Sequence, residues 1–474
     1  MTARQARTVL IIAGEFPPLK TIGRIRTVKF VEHLRKHGWE SIVVTLAPDG
    51  REPNYDASLL AEVPQGAEVM RVPLVTFDDR ITAFAKRLLG RNRKATTDSG
   101  NGPDKGNTTT RLRPGRRSAG EGLQMAVKQL IRLCLDVPDN FLPWALAAMP
   151  EIRRLCKERQ IDLVFTTLPP FSAAYVGYKL AGETAIPWIA DYRDLWYGDV
   201  LREWLPRWRQ RLELVIEKRI LKRASVVVTV SEQKTDYMRK LHPGIRARWA
   251  TLTNGYDKEI YEERTRTRGF DESVVEFVYT GRLFKNRRGY AFAEALGRIK
   301  RDTPALVAPV RVRMLGGVSD EIAQRYEQIL SAYQLHDHFC FAGDVGYAEA
   351  MNAQVNCDYL LLIVDTGETS DGVIPGKLFE YVAAQRPIFA LCNPGATQQI
   401  IDHARLGTVV DTEDVDACER QLREVLSRPV PREIHRDEEY LTQFDRRQIT
   451  ARLAQLFDET TAANSRSKSS STRR

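Results

Sequence analysis

Val9-Leu10-Ile11-Ile12 is a continuous apolar run, short and without a polar face. Such runs suit strands buried on both sides, as in parallel sheets covered by helices. Glu15-Phe16-Pro17-Pro18 breaks the run, and Ile25, Val28, Val31 and Leu34 then recur at helical spacing. Lys36 and His37 suit the negative end of that helix, and Gly38 stops it. Ile42-Val43-Val44 is the next strand. A β-α-β unit of this kind implies a parallel sheet.

The alternation resumes with a strand at 162–165, a helix near 172–180, a strand at 187–191, a charged helix near 205–222 and a strand at 225–230. After Thr253-Asn254-Gly255 a second series begins, with strands at 276–280, 310–314, 338–341, 359–363 and 387–391. One core stops growing near roughly 250–300 residues, and this chain has 474. The pattern therefore predicts an α/β protein of two doubly wound domains, 1–250 and 251–435. A helix is expected over 436–460 and a disordered tail over 461–474.

Composition excludes several classes. Apolar content of 43% and charged content of 28% suit a globular chain, not a fibrous or wholly disordered one. No apolar run approaches the roughly 18–20 residues of a membrane helix. The run at Val9 is too short for a signal peptide, and the six cysteines are scattered, so a reducing cytoplasm is expected. The net charge of +10 is unevenly placed. Residues 86–121 carry +7 with almost no aliphatics, which predicts a disordered basic insertion, and 465–474 carry +4. The rest is about neutral, so the excess points to an anionic membrane surface rather than to nucleic acid, for which no motif is visible. Leu130–Met149 offers a further apolar face, for a membrane interface or for core packing.

Four motifs fall at predicted strand ends. Ile374-Pro375-Gly376-Lys377-Leu378-Phe379-Glu380 is a loop entering a helix, where exposed amides, the helix dipole and Lys377 make an anion pocket. Glu380, one turn on, is placed to accept ribose hydroxyls. An ordinary capped helix fits the same spacing. Gly281–Gly289 gathers Arg282, Lys285, Arg287 and Arg288 after a strand, suited to a diphosphate or simply to solvent. Glu15–Pro18 with Gly23 and Arg24 is a βα turn without the GxGxxG fingerprint. Asp191-Tyr192-Arg193-Asp194-Leu195-Trp196 suits either an acceptor pocket or a buried salt-bridged turn. The seven histidines form no HExxH or Cys-linked set, and His336-x-His338 reads as alternation at a strand start.

In order, FPP…GR (16–24), PWIADYRDLW (187–196), VVVTVSE (226–232), TNGYD (253–257), YTGRLFKNRRG (279–289), FAGDV (341–345) and PGKLFEYVAAQRPI (375–388) resemble the retaining glycosyltransferases of family 4. The similar subgroup makes bacterial surface polysaccharides. The resemblance implies the GT-B fold, two Rossmann-like domains facing each other across a cleft, with the C-terminal helix returning to the N-terminal domain. It implies a nucleotide-sugar donor, a lipid-linked or other glycan acceptor, and no metal or other cofactor. It assigns the donor diphosphate to Arg282 and Arg288, with Arg287 as the competing choice, and to the loop at Gly23 and Arg24. It assigns the ribose to Glu380, the base region to Gly343, Asp344 and Val345, and the donor loop to Ile374, Pro375, Gly376 and Lys377. Arg193 and Asp194 fall near the reacting centre, and Asp191 and Trp196 near the acceptor. Gly372 stands where the family has a first glutamate. A sugar-nucleotide epimerase or a non-catalytic scaffold on the same fold are the alternatives. Peripheral attachment to the inner face of the cytoplasmic membrane, through 86–121 and the tail, is the expected location.

Overall fold

The computed structural model describes residues 6–73 apart from 49, 51 and 53, residues 133–262, and residues 273–471 apart from 432. The predicted basic insertion at 86–121 lies outside the described residues.

Two parallel sheets carry the fold. The first runs β3-β2-β1-β4-β5-β6-β7, from β1 (Arg7–Ala13), β2 (Trp39–Ala47), β3 (Glu68–Pro73), β4 (Leu163–Leu168), β5 (Trp188–Tyr192), β6 (Val226–Thr229) and β7 (Arg248–Thr251). The second runs β10-β9-β8-β11-β12-β13, from β8 (Val275–Thr280), β9 (Val310–Leu315), β10 (Phe339–Gly343), β11 (Tyr359–Ile363), β12 (Ile388–Leu391) and β13 (Gly407–Val410). Leu10, Ile11 and Ile12 are wholly buried, as the unbroken apolar run requires of a central strand. Strand order reverses between β1 and β4 and again between β8 and β11. In open α/β sheets the crevice beyond such reversals is where ligands bind.

Helices α1 (Ile22–Leu34), α2 (Leu142–Glu158), α3 (Ala173–Glu183), α4 (Arg207–Leu221) and α5 (Glu232–Leu241) belong to the first domain. Of the Leu130–Met149 stretch, Trp144 and Met149 are buried in the core, whereas Leu135 stays exposed. Helices α6 (Tyr347–Asn356) and α7 (Gly376–Ala384) flank the crevice of the second domain.

The last helix, α8 (Arg446–Ser471), returns to the first domain, as expected. Ile449, Leu453, Leu456 and Phe457 join a cluster with Val9, Phe30, Trp39 and Phe165. Trp39 Nε1 donates to Asp458 Oδ1 at 2.8 Å. The helix also runs past 461, where the composition suggests a disordered tail. Once a helix is nucleated, each added residue gains a hydrogen bond at little cost. Asn464 ties this extension to the Ala185 carbonyl at 2.8 Å.

The two domains touch through polar contacts to backbone. Ser231 Oγ donates to the Gly372 carbonyl at 2.7 Å, and Thr369 Oγ1 to the Gly198 carbonyl at 2.7 Å. Asn286 Nδ2 donates to the Val200 carbonyl at 2.9 Å.

Candidate active site

The crevice between the sheets receives the C-terminal ends of β1, β4, β8 and β11 and the N-termini of α1 and α7. The two helix starts face each other. A side-chain carbon placed on Gly376 would lie 3.5 Å from Ile22 Cγ2. Both positive dipole ends therefore point into one space, which favours an anion there.

The cations predicted for the second domain divide into three groups. Lys377 Nζ donates to the Tyr279 hydroxyl at 3.0 Å and lies over that ring. Arg287 Nη2 donates to Asp365 Oδ2 at 2.6 Å, in a largely buried pair. Burial drives the Lys377 amine well below its ordinary value, and the neighbouring charge of Arg287 adds to the shift. A bound diphosphate would restore the charge. Arg282 is different: it is exposed at the rim and pairs with Asp344 at 3.1 Å. Arg288 turns away and pairs with Glu413 at 2.6 Å. The competing choice, Arg287, is the one that shares the Lys377 pocket. Adjacent residues on an extended loop point apart, so only one of the pair faces the crevice.

Glu380 lies one turn into α7. Gln354 of α6 holds its Oε2 through Nε2 at 3.1 Å, and the same Nε2 donates to Thr280 Oγ1 at 3.0 Å. The Tyr261 hydroxyl donates to Gln354 Oε1 at 2.8 Å. Burial raises the Glu380 carboxyl above its ordinary range, and the Gln354 bond opposes that. Ile374 and Pro375 are buried beneath the loop, and Gly376 opens α7. Gly343 takes a left-handed φ of 71° in open space at the end of β10, and Val345 packs against the core beside it.

In the first domain, Gly23 is required by crowding. A side chain there would collide with Arg193 Nη1 and Glu15 Oε2, which form a 2.6 Å ion pair. Arg193 also donates to the Pro169 carbonyl and is buried, so it braces the crevice wall. Asp194 is half exposed and faces Lys234 Nζ at 3.7 Å. Arg24 is held by Glu62 at 2.9 Å and by the Thr21 carbonyl at 2.8 Å, yet stays within electrostatic reach of Tyr347 across the crevice.

The two residues expected near the acceptor are structural. Asp191 is fully buried, and both its oxygens accept from Arg26, at 2.8 and 3.1 Å. Arg26 goes on to the Leu252 and Thr253 carbonyls, which welds α1 to the ends of β5 and β7. Trp196 is 1% exposed, stacks on Phe171 and donates to Glu213. A cavity of about 250 Å³ opens nearby instead, lined by Leu19, Leu46, Phe141 and Phe171 with Glu15 and Arg202 among its polar groups. Its floor carries Asp139, whose carboxyl is raised by burial although Ser172 donates to it.

Gly372, in the place of the expected glutamate, has no room for a side chain. A Cβ there would meet Lys234 Cγ at 2.9 Å and Ser231 Oγ at 3.3 Å. Tyr279, Gln354 and Asp365 were not singled out from the sequence. Asp365 carries a usable signal, an acid two residues beyond an apolar strand; Gln354 carries none. Among the described residues, no three His, Cys, Asp or Glu side chains gather into a metal-ligating group.

Two Rossmann-like parallel-sheet domains, of seven and six strands, make up the GT-B architecture, and known proteins of that fold are similar to this chain. Residues 108–255 match the glycosyl transferase 4-like domain, and residues 275–428 match the glycosyl transferases group 1 domain. The chain is thus a glycosyltransferase of the GT-B fold. No curated protein sequence matches it. Sucrose-phosphate synthase from Thermosynechococcus elongatus is similar in structure, with a TM-score of 0.59 at 15% identity, covering 96% of this chain and 100% of that one. A glycosyltransferase from Rickettsia africae gives 0.58 at 12%, covering 96% and 99%. HepE of Anabaena, solved with UDP and glucose, gives 0.53 at 13%, covering 98% and 100%.

Proposed function

We propose that this glycosyltransferase moves a sugar from a nucleotide-sugar donor to a lipid-linked or glycan acceptor, with retention, in the assembly of bacterial cell-surface polysaccharide. The observation that carries the donor half is the pocket of Lys377 and Arg287 at the start of α7, with Glu380 one turn further along. The UDP and glucose bound to the structurally similar HepE support the same reading.

In this mechanism the sugar–phosphate bond breaks, the electron pair stays on the diphosphate, and the sugar gains oxocarbenium character. Lys377, Arg287 and the α7 amides stabilise the departing charge, and Arg282 closes over it from the rim. The acceptor hydroxyl attacks from the face the diphosphate leaves and gives its proton to that phosphate, which retains configuration. Glu380 holds the ribose and Gln354 positions Glu380. The apolar cavity beside Glu15 and Arg202 receives the acceptor. The charge at the diphosphate is met by side chains, so we propose that no metal is needed and that EDTA leaves turnover unchanged. The enzyme works at the inner face of the cytoplasmic membrane, with 86–121 and the tail adding attraction to anionic lipid.

The test is a panel of UDP-, GDP- and dTDP-sugars, with a membrane extract as acceptor source, read by mass spectrometry. Transfer or donor hydrolysis with one of them is expected. Sugar isomerisation would replace this reading with an epimerase, and binding without turnover would leave a scaffold.

A further inference from the structure

Helix α4 buries its acids, and while Ile216, Ile220 and Leu221 pack on the core, three of its apolar side chains stay exposed. Its only acidic residues, Glu213 and Glu217, are each 1% exposed. Glu213 accepts from Arg209, Arg202 and Trp196, and Glu217 faces His242 at 3.2 Å. The outward face instead carries Trp208, Leu212 and Val215, and the turn before it carries Leu201 and Trp204, which is 69% exposed. Arg207, Arg211, Arg219 and Lys222 lie exposed among them. Arg207 and Arg211 form no ion pair among the described residues.

We infer that the outer face of α4, with the turn at Leu201 and Trp204, is the surface by which this protein docks on an anionic lipid bilayer. Tryptophan prefers the headgroup boundary, aliphatic side chains dip below it, and arginine meets lipid phosphates. The charge pattern favours this occupant over a second copy of the chain. A two-fold contact would press the cationic outer face of α4, which carries no exposed acid, against itself; the one acid of the turn, Glu203, is exposed but leans toward Gly367 of the second domain. Two further observations agree. Arg209 donates to the Leu133 and Asp136 carbonyls, so the sequence that follows the +7 stretch rejoins the fold beside α4. Arg202 sits in the same turn as Leu201 and Trp204 and lines the apolar cavity, so a lipid-borne acceptor would reach that cavity from the docked face. This last point rests on the acceptor reading above; the docking surface itself does not.

The test uses the full chain with vesicles of phosphatidylcholine, with and without phosphatidylglycerol. Co-sedimentation is expected only with the anionic vesicles. Trp204→Ala with Trp208→Ala should weaken it about tenfold, and Arg207→Glu with Arg211→Glu should abolish it, with melting temperatures unchanged. Wild-type affinity in both variants would overturn the assignment. So would absence of binding by the wild type, or loss on deleting 86–121 while both α4 variants bind normally. Dissociation of a dimer by these substitutions, with vesicle binding intact, would reassign the face to a contact between copies. The assay needs no donor, so it can fail while the transferase reading stands, and the reverse.

Discussion

Lys377 and Glu380 stand three residues apart on one helix, and burial pushes both away from their charged forms. The lysine falls well below 10.5 and the glutamate rises above 4.5. In the proposed donor site, diphosphate recognition would need the ammonium and ribose recognition the carboxylate. Nucleotide affinity should therefore fall on the acid side as Glu380 gains its proton and on the alkaline side as Lys377 loses its own. The resulting bell is narrower than the ordinary values allow, and calorimetric titration across pH measures it. Glu380→Gln should weaken transition-state binding by about 2–4 kcal/mol and remove the acid limb. The folded chain binds fewer protons at Lys377 than the unfolded chain does, so stability rises with pH up to the ordinary lysine value. Lys377→Met should flatten that slope in thermal melts while abolishing nucleotide binding. Asp191→Ala is different in kind. It strands Arg26 in the core, at about 3–5 kcal/mol, and should appear as lost melting temperature rather than altered turnover. The sequence made the Pro-Gly-Lys…Glu spacing legible because one helix start sets its geometry. It left Asp191 open between an acceptor pocket and a buried ion pair, because the deciding partner, Arg26, lies 165 residues away.

At the scale of elements, apolar runs located the central strands, since strands buried on both faces tolerate little else. The edge strands β3, β7 and β13 were missed; short and partly exposed, they carry no such run. The join between domains was equally silent in the sequence, being built mainly from side chains that bond to backbone carbonyls. It makes Gly372 intelligible. Gly372→Glu should not restore a missing ligand; it should push α5 away and lower kcat/KM, as steady-state assays would show. Asp199, in the turn that makes this join, has its carboxyl raised to about 6, first by burial and then by Asp194. The folded state keeps this proton up to about pH 6 and the unfolded chain releases it near 3.8, so the stability it contributes is full below 3.8 and lost as pH rises through 6. Asp199→Asn should flatten the pH dependence of melting between these values and stabilise the chain at pH 7 by about 1–3 kcal/mol.

For the molecule as a whole, the charge arithmetic of the sequence separated a neutral body from basic additions, and the fold adds a third basic element in the outer face of α4. That element was hidden because α4 reads as a merely charged helix until burial shows which charges face inward. The return of α8 to the first domain was foreseen in outline, but its grip on Trp39 and Phe165 depends on packing. Deleting 446–471 should expose Phe30, Trp39 and Phe165 together and lower soluble yield and melting temperature. The same helix sets an order of events during synthesis. The first domain emerges from the ribosome before the second, yet the groove that receives Phe457 stays bare until the second domain and residues 446–471 have been made. A nascent or prematurely ended chain therefore displays an apolar groove that the finished chain hides. Exposed apolar surface of that kind is aggregation-prone, so a chain cut short before Phe457 should aggregate where the longer chain stays dispersed.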